Sequence, residues 1–456
     1  MFYKLFIYMF KSFESNLKKL SLILLLLLPI SLLTGPAIPD ISITLIGILF
    51  LINTFIKKDF KWLFEKWVIF GFIFWISIMF ISLFAIDIGN SFQNAFIFLR
   101  YIIFSIAVSY WLLIEKKLFI LFLKILTITL IFIILDCVYQ FINYDSLEGF
   151  GEDIFGFSST HYGRLSGPFD DDIPGSHISR FIFFSIFLFL INKKNLFLNN
   201  LTLILFISFA IFIIWLSGEA MAIATTVMGI IIYLLLIKEK KIIILIGTLT
   251  SILLIFLTNN FHSMNKDYEI ISSTPYHHGL IINKYGECKN IKNTSCSKII
   301  KTNPKFNEVI NNFSESIYYK IYLDAFMMWK DNLLTGVGLN NFKKSCLENK
   351  KYRSAKINYE KCSAHPHNIY VQFISETGLI GLFTFIIFIF NILFKLFINF
   401  SRYTNKISFI SLSIIFWPLM STGSLLKNWY GIEVFLVIGL LIALSNLNLI
   451  NTESEF

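Results

Sequence analysis

The sequence predicts an all-α, polytopic transmembrane helix bundle of about 12 spans with one large, partly helical outer loop. Three observations carry that prediction. Of 456 residues, 56% are hydrophobic and only 15% are charged, against roughly 25% charged in soluble domains. Apolar runs of about 20 residues, the length that crosses a bilayer, recur along the chain. Lysines and arginines collect in alternate loops.

The apolar runs lie at roughly 20–35, 41–56, 67–86, 92–114, 118–142, 176–192, 201–217, 219–237, 240–258, 369–400, 407–423 and 430–449. The first two are short and flank Gly35-Pro36 and Pro39, which predicts a bent hairpin. Lys4, Lys11, Lys18 and Lys19 precede or open the first span. Lys57, Lys58, Lys61 and Lys66 fill one later loop, and Lys116, Lys117, Lys193, Lys194, Lys238, Lys240, Lys241, Lys395, Arg402 and Lys406 fill the alternate ones. The short loops near 36–40, 86–90 and 217–219 carry neither lysine nor arginine. The positive-inside rule then places both termini in the cytoplasm. The net charge of +10 reads as topology and contact with membrane lipids, not as nucleic-acid binding. The first apolar run lacks a small-residue cleavage site, which argues against a cleavable signal peptide.

Three parts follow: an N-terminal bundle over 1–258 with an acidic outer loop at about 143–175, a large outer loop over 259–368, and C-terminal spans over 369–456. Loops of that length are usually functional. Cys288, Cys296, Cys346 and Cys362 all lie in the large loop and Cys137 lies in a span. Proximity favours Cys288–Cys296 and Cys346–Cys362 disulfides among the three possible pairings. Zinc is the weaker reading, because no tight Cys-x-x-Cys pair exists.

The large loop ends in His365-Pro366-His367-Asn368-Ile369-Tyr370, followed by Ser375-Glu376-Thr377-Gly378-Leu379-Ile380-Gly381. Histidine takes a proton from a hydroxyl near neutral pH, and a helix start suits an anion. The pre-proline position pushes His365 out of the helical region, and Pro366 suits a first helical turn. His367 and Asn368 would then lie in that turn. The plainer alternative is a helix cap with histidines at an interface.

Cations supply the other candidates. Arg164, in Gly163-Arg164-Leu165-Ser166-Gly167-Pro168-Phe169, and Arg180, at the start of the next span, lie on the outer side. Arginine grips phosphate with a fork of N–H donors, although a pair with the nearby Asp170, Asp171 and Asp172 is the rival reading. Those three carboxylates read better as a solvated turn than as a metal site. Arg100 and Asp136 lie within spans, where charge is costly. They either clamp each other, or Arg100 holds a lipid phosphate; Gln140 shares a helix face with Asp136. Ile317, Ile321, Ala325, Met328 and Trp329 recur at helical spacing, predicting an amphipathic helix that also carries Lys320. The Gly336-Val337-Gly338 turn after it is no phosphate-binding loop of the Walker type, lacking Gly-Lys-Ser/Thr.

Together these segments resemble the O-antigen ligase and polymerase family of multi-pass membrane glycosyltransferases. The resemblance is strongest from Asn332 to Gly381, with a second match at Asp136, Gln140, Arg164–Phe169, Gly175 and Arg180. It implies a bacterial inner-membrane enzyme with a periplasmic loop and a glycan donor on undecaprenyl diphosphate. The acceptor would be lipid A-core for a ligase, or a growing glycan for a polymerase; ligation is the favoured reading. It implies His367, assisted by His365, as the base. Arg164, Arg180, Arg100, Lys320 and Asn368 would bind diphosphate or substrate, and no metal or other cofactor would be needed. The family commonly has an arginine just after the Ser-Gly of a middle span; here Ser217-Gly218-Glu219-Ala220-Met221-Ala222 puts alanine there. An arginine expected near the start of the amphipathic helix is also missing, where Tyr318 and Lys320 stand. A multi-pass transporter or flippase is the reading from another functional class, without an internal repeat to support it.

Overall fold

The computed structural model describes residues 2–144, 151–159, 164–169, 174–192, 195–261, 269–271, 280–282, 300–301, 313–353, 362–419 and 421–447. The N-terminal helices are α1 (Phe2–Ser31), α2 (Ala37–Lys57), α3 (Lys66–Ile81), α4 (Ile88–Ala107) and α5 (Lys116–Ile142). Then come α6 (Pro174–Ile191), α7 (Leu196–Leu216), α8 (Ala220–Leu236) and α9 (Lys241–Phe261). Helices α10 (Ile317–Asp331) and α11 (Phe342–Glu348) precede α12 (Ile369–Phe397), α13 (Tyr403–Ile415) and α14 (Asn428–Asn446). Among the described residues, 10 helices are long and apolar enough to cross a membrane. The fold is the all-α polytopic bundle that the hydropathy pattern predicts.

Two of the predicted spans come out shorter. Helix α8 has 17 residues and α13 has 13. The expected span over 407–423 stops at Ile415, because Pro418 cannot donate a backbone hydrogen bond and disfavours helix before it. Irregular chain follows to Lys427. A small antiparallel sheet is an addition to the expected helical loop, with β1 (Glu269–Ile271) between β2 (Leu280–Ile282) and β3 (Ile300–Lys301). Ile270 stands opposite both Ile281 and Ile300.

Packing divides the chain into two compact units, Met1–Ile125 with Phe313–Phe456, and Leu126–Asn312. In the first, α14 is the central helix: 83% of its span is buried, against 33% for α12. Aromatic rings fill the space around it. Phe435 meets Phe98 edge-on at 5.4 Å and stacks on Tyr101 at 5.5 Å, while Phe74 meets Phe98 at 5.7 Å and Phe373 at 5.4 Å. Such offset and edge-on pairs add to the plain burial of the rings. Leu379, Phe383, Ile386, Phe390, Phe394 and Phe397 form an exposed stripe along α12, which suits contact with lipid tails.

Arg100 does not pair with Asp136. Its guanidinium grips Asp40 through both terminal nitrogens, at 2.9 and 2.8 Å. Asp40 lies in the first turn of α2, a position that the sequence assigned to a short outer turn. Asp136 belongs to the second unit, where its Oδ1 accepts the Ile154 N–H at 2.9 Å. Gln140, one turn later, accepts the N–H groups of both Ser166 and Gly167 at 2.9 Å. The two side chains fix parts of the acidic outer loop to α5 by satisfying its backbone.

Candidate active site

The start of α12 builds the histidine site. Asn368 is the N-cap: its Oδ1 accepts the N–H groups of Tyr370 at 2.9 Å and Val371 at 3.1 Å. Asparagine is among the best residues for that role. The helix therefore begins after Asn368, not at Pro366, and the expectation that His367 lies in its first turn is corrected. His367 has φ +56°, a left-handed conformation uncommon outside glycine and found at positions held by their surroundings. The holding contact is the Thr422 N–H, which donates to the His367 carbonyl at 2.8 Å.

The two imidazoles lie together, with ring centroids 4.2 Å apart, and Tyr318 of α10 stands edge-on to His367 at 5.9 Å. His365 is 7% exposed, and neither ring nitrogen has a hydrogen-bond partner among the described residues. Burial, reinforced by His367 and Lys427, pushes its pKa down from 6.5 to about 3 against a weaker upward pull from the Thr422 backbone. His367 is also lowered, by burial and then by Lys427. Both rings are thus neutral near neutral pH, the form in which imidazole accepts a proton.

This lowering has a stability consequence. A folded-state pKa below the unfolded one means that the unfolded chain binds more protons once the pH falls below about 6.5. The purified protein is expected to lose melting temperature as pH falls from about 6.5 towards 4, at up to about 1.4 kcal/mol per pH unit for this one group. His365→Phe should flatten that part of the profile. An unchanged slope in the variant would show that other groups set it.

The chain after α13 folds over the site. Tyr370 donates its hydroxyl to the Phe416 carbonyl, Asn368 Nδ2 donates to the Pro418 carbonyl, and Gln372 Nε2 donates to Ser424 Oγ, each at 2.7 Å. Lys427 ends this segment, exposed, and no carboxylate pairs with it among the described residues. Sequence reasoning passed over Lys427. The signal was there: it is a lone lysine in a loop that the alternation assigns to the outside, against the charge rule.

Helix α12 is broken at Gly378, with φ +62° and ψ −162°. The break frees backbone groups that the Gly336-Val337-Gly338 turn takes up. Val337 and Gly338 donate to the carbonyls of Ser375 and Glu376 at 3.0 and 2.8 Å. Leu379 and Ile380 donate to the carbonyls of Leu333 and Leu334 at 2.9 and 3.2 Å. Turn and helix satisfy each other, as non-helical backbone at membrane depth requires. Glu376 is 1% exposed and accepts from Gln372 Nε2 at 3.1 Å and the Phe342 N–H at 3.4 Å. Ile321, Ala325 and Met328 of α10 pack with Val337, Phe342, Cys346 and Tyr352. Ile317 is exposed and Trp329 half-buried. A Cys346–Cys362 disulfide, with Cα atoms 5.9 Å apart, ties α11 to the chain three residues before His365. Cys288 and Cys296 lie outside the described residues.

The remaining candidates fall elsewhere. Asn368 spends its amide on the cap and on Pro418. Arg100 is engaged by Asp40, by Asn428 Oδ1 at 2.9 Å and by the Tyr101 hydroxyl at 3.2 Å. Lys320 stands two residues after Tyr318, about 200° around the helix and so on the face turned away from His367. Arg164 and Arg180 belong to the second unit. There the Arg164 side chain lies over Gly218, where an added Cβ would come within 2.9 Å of its Nε. Glu219 accepts from the Ser176 backbone N–H and, at 2.7 Å, from its hydroxyl. The carboxylate thus sits at the positive end of α6, on which Arg180 follows Ser176 by one turn. Ala220 is the exposed first residue of α8. Asp170, Asp171 and Asp172 lie outside the described residues, and among those described no group of three His, Cys, Asp or Glu side chains could hold a metal.

Residues 203–386 match the family model for O-antigen ligase. That stretch runs from α7 into α12 and contains both histidines, but not Lys427. No curated protein matches the chain.

Proposed function

We propose, on the premise that residues 203–386 match the family model for O-antigen ligase, that the chain transfers a glycan from undecaprenyl diphosphate to lipid A-core. The reaction takes place at the periplasmic face of a bacterial inner membrane, with both termini in the cytoplasm. One observation carries the catalytic part: a buried imidazole, His365, and a half-buried one, His367, 4.2 Å apart at the start of α12, with His367 held by the Thr422 N–H.

His367 takes the proton of the acceptor hydroxyl as its oxygen attacks the anomeric carbon. The new bond is carbon to acceptor oxygen. The bond that breaks is carbon to diphosphate oxygen, and undecaprenyl diphosphate leaves with the electron pair. The attack is from the opposite side and inverts the anomeric centre. His365 lines His367 and keeps water from it. The growing charge on the leaving group needs nearby cations, and the donor's membrane anchor restricts its search for a reactive pose.

Within the second unit, Arg164 and Arg180 are the candidates for binding the donor's diphosphate. The position of Arg164 over Gly218, two residues before Ala220, supports its standing in for the arginine that the family places there. Arg164→Ala is expected to cut transfer by about 100-fold, the scale of losing one preorganised donor. Adding Ala220→Arg to that variant should restore about 10-fold of the loss. A folded double variant no faster than Arg164→Ala would end the substitution idea.

Reconstituted protein with lipid-linked O-antigen, with and without lipid A-core, tests the whole reading by product size on a gel. Transfer that requires lipid A-core means ligation. Longer lipid-linked chains without it mean polymerisation. No product in either condition, beside an active relative, overturns the proposal.

A further inference from the structure

The described outer cations are unequal. Arg100 is engaged by Asp40, Asn428 and Tyr101 through its terminal nitrogens. Lys320 is turned away from His367 by its place on α10. Lys344 pairs with Asp87 at 2.7 Å and Lys351 with Asp331 at 2.7 Å. Lys427 is exposed and has no carboxylate partner among the described residues. It is also tied to the histidines by short chain: Thr422 holds His367, and Ser424, which binds Gln372, accepts the Lys427 backbone N–H at 3.0 Å.

Its other side is anchored as well. Lys427 immediately precedes Asn428, the first residue of α14. Asn428 Oδ1 accepts from Arg100, which also donates one hydrogen bond to Asp40 and lies in ion-pair contact with its other oxygen. Asp40, Arg100 and Asn428 line a cleft of about 270 Å³ with Asn94, Tyr101 and Leu426. A planar guanidinium that meets a carboxylate and an amide oxygen at once has a directional fixity that a lysine ammonium lacks. The start of α14 is therefore set by a charged contact between two other helices, and the ammonium it carries is left uncommitted.

We propose that Lys427 is the cation that meets the leaving diphosphate beside His367, and that the Asp40–Arg100–Asn428 contact is a positioning device that holds it there. This rests on the glycan-transfer reading above. It gives Arg100 a role other than binding phosphate itself. The lowered pKa values of both histidines agree with a positive charge at that place.

The test measures binding of glycan-free undecaprenyl diphosphate to the full chain in nanodiscs, with undecaprenyl monophosphate as comparison. Lys427→Met should weaken diphosphate binding about 10-fold and monophosphate binding less, since a point charge gains with each phosphate it faces. Lys427→Arg should recover most of it. Asn428→Ala should weaken diphosphate binding when Lys427 is present, and add nothing in the Lys427→Met background; a general structural defect would be additive. Equal binding by Lys427→Met and the unaltered protein overturns this assignment alone. An additive effect of Asn428→Ala overturns the positioning part. Failure of the unaltered protein to bind undecaprenyl diphosphate overturns both this assignment and the transfer reading.

Discussion

His367→Asn is expected to lower glycan transfer by about 10²- to 10⁴-fold, the range lost with a positioned general base. Abundance and melting temperature should stay close to those of the unaltered protein. Asparagine is the substitution of choice because His367 has φ +56°, and asparagine tolerates that region better than most residues. The His367 ring is engaged by a tilted contact with His365 and an edge-on one with Tyr318, so its removal disturbs little else. The pH dependence adds a second signature. Because burial and Lys427 lower the His367 pKa, transfer should hold through pH 6.5 and fall only as the medium becomes more acid. A transporter with a decorated helix start at this place would tolerate the change, and full transfer by folded His367→Asn would remove His367 from the mechanism.

Gly378→Ala is expected to abolish the folded state. Its φ of +62° with ψ of −162° is a backbone region essentially confined to glycine. An added Cβ would also collide with the Leu334 carbonyl group and with the Thr335 backbone nitrogen at 2.5 Å. Neither partner is a flexible side-chain end, so the turn would have to leave the helix. That would strand the four backbone hydrogen bonds exchanged between 333–338 and 375–380. Together these terms reach roughly 3 kcal/mol or more, a large part of the usual stability of a folded chain. Gly35→Ala separates the causes, since Gly35 also has positive φ (+94°) but nothing within 4 Å of an added Cβ. Gly35→Ala should give a modest loss of melting temperature, measured in detergent by tryptophan fluorescence. A Gly378→Ala protein as stable as Gly35→Ala would show that the interlocked turn matters little.

The bundle was legible because bilayer crossing imposes a length and a composition that survive in one sequence. Span 407–423 was overextended for the same reason. Its composition stays apolar past Ile415, while Pro418 changes where backbone hydrogen bonds can go. The break at Gly378 was hidden inside an unbroken apolar run, since hydropathy carries no sign of φ. The histidine segment stood out because polar residues gather at a helix start, yet its helix boundary was misplaced: Pro366 and Asn368 both signal an N-terminus, and the side-chain cap prevailed. Arg100 was matched with Asp136 because both were charges within apolar runs. Asp40 looked like a residue of an exposed turn, and tertiary packing alone brings it to Arg100. Lys427 belonged to no motif and is joined to the histidines by folding.

The unit that holds the histidines is made from the two ends of the chain. Ile86 donates to the Val337 carbonyl, Leu339 to Ser91, and Arg100 to Asn428, which is 328 residues further along. During synthesis α2, α3 and α4 are inserted long before α12 and α14, against which they also pack, exist. Until those arrive, the faces that they cover stay unpaired by protein. Closing contacts of such separation is slow, since chain entropy is lost before the contacts form. The site is therefore among the last parts of the molecule to assemble, and a chain stopped short of Thr422 lacks the contact that holds His367.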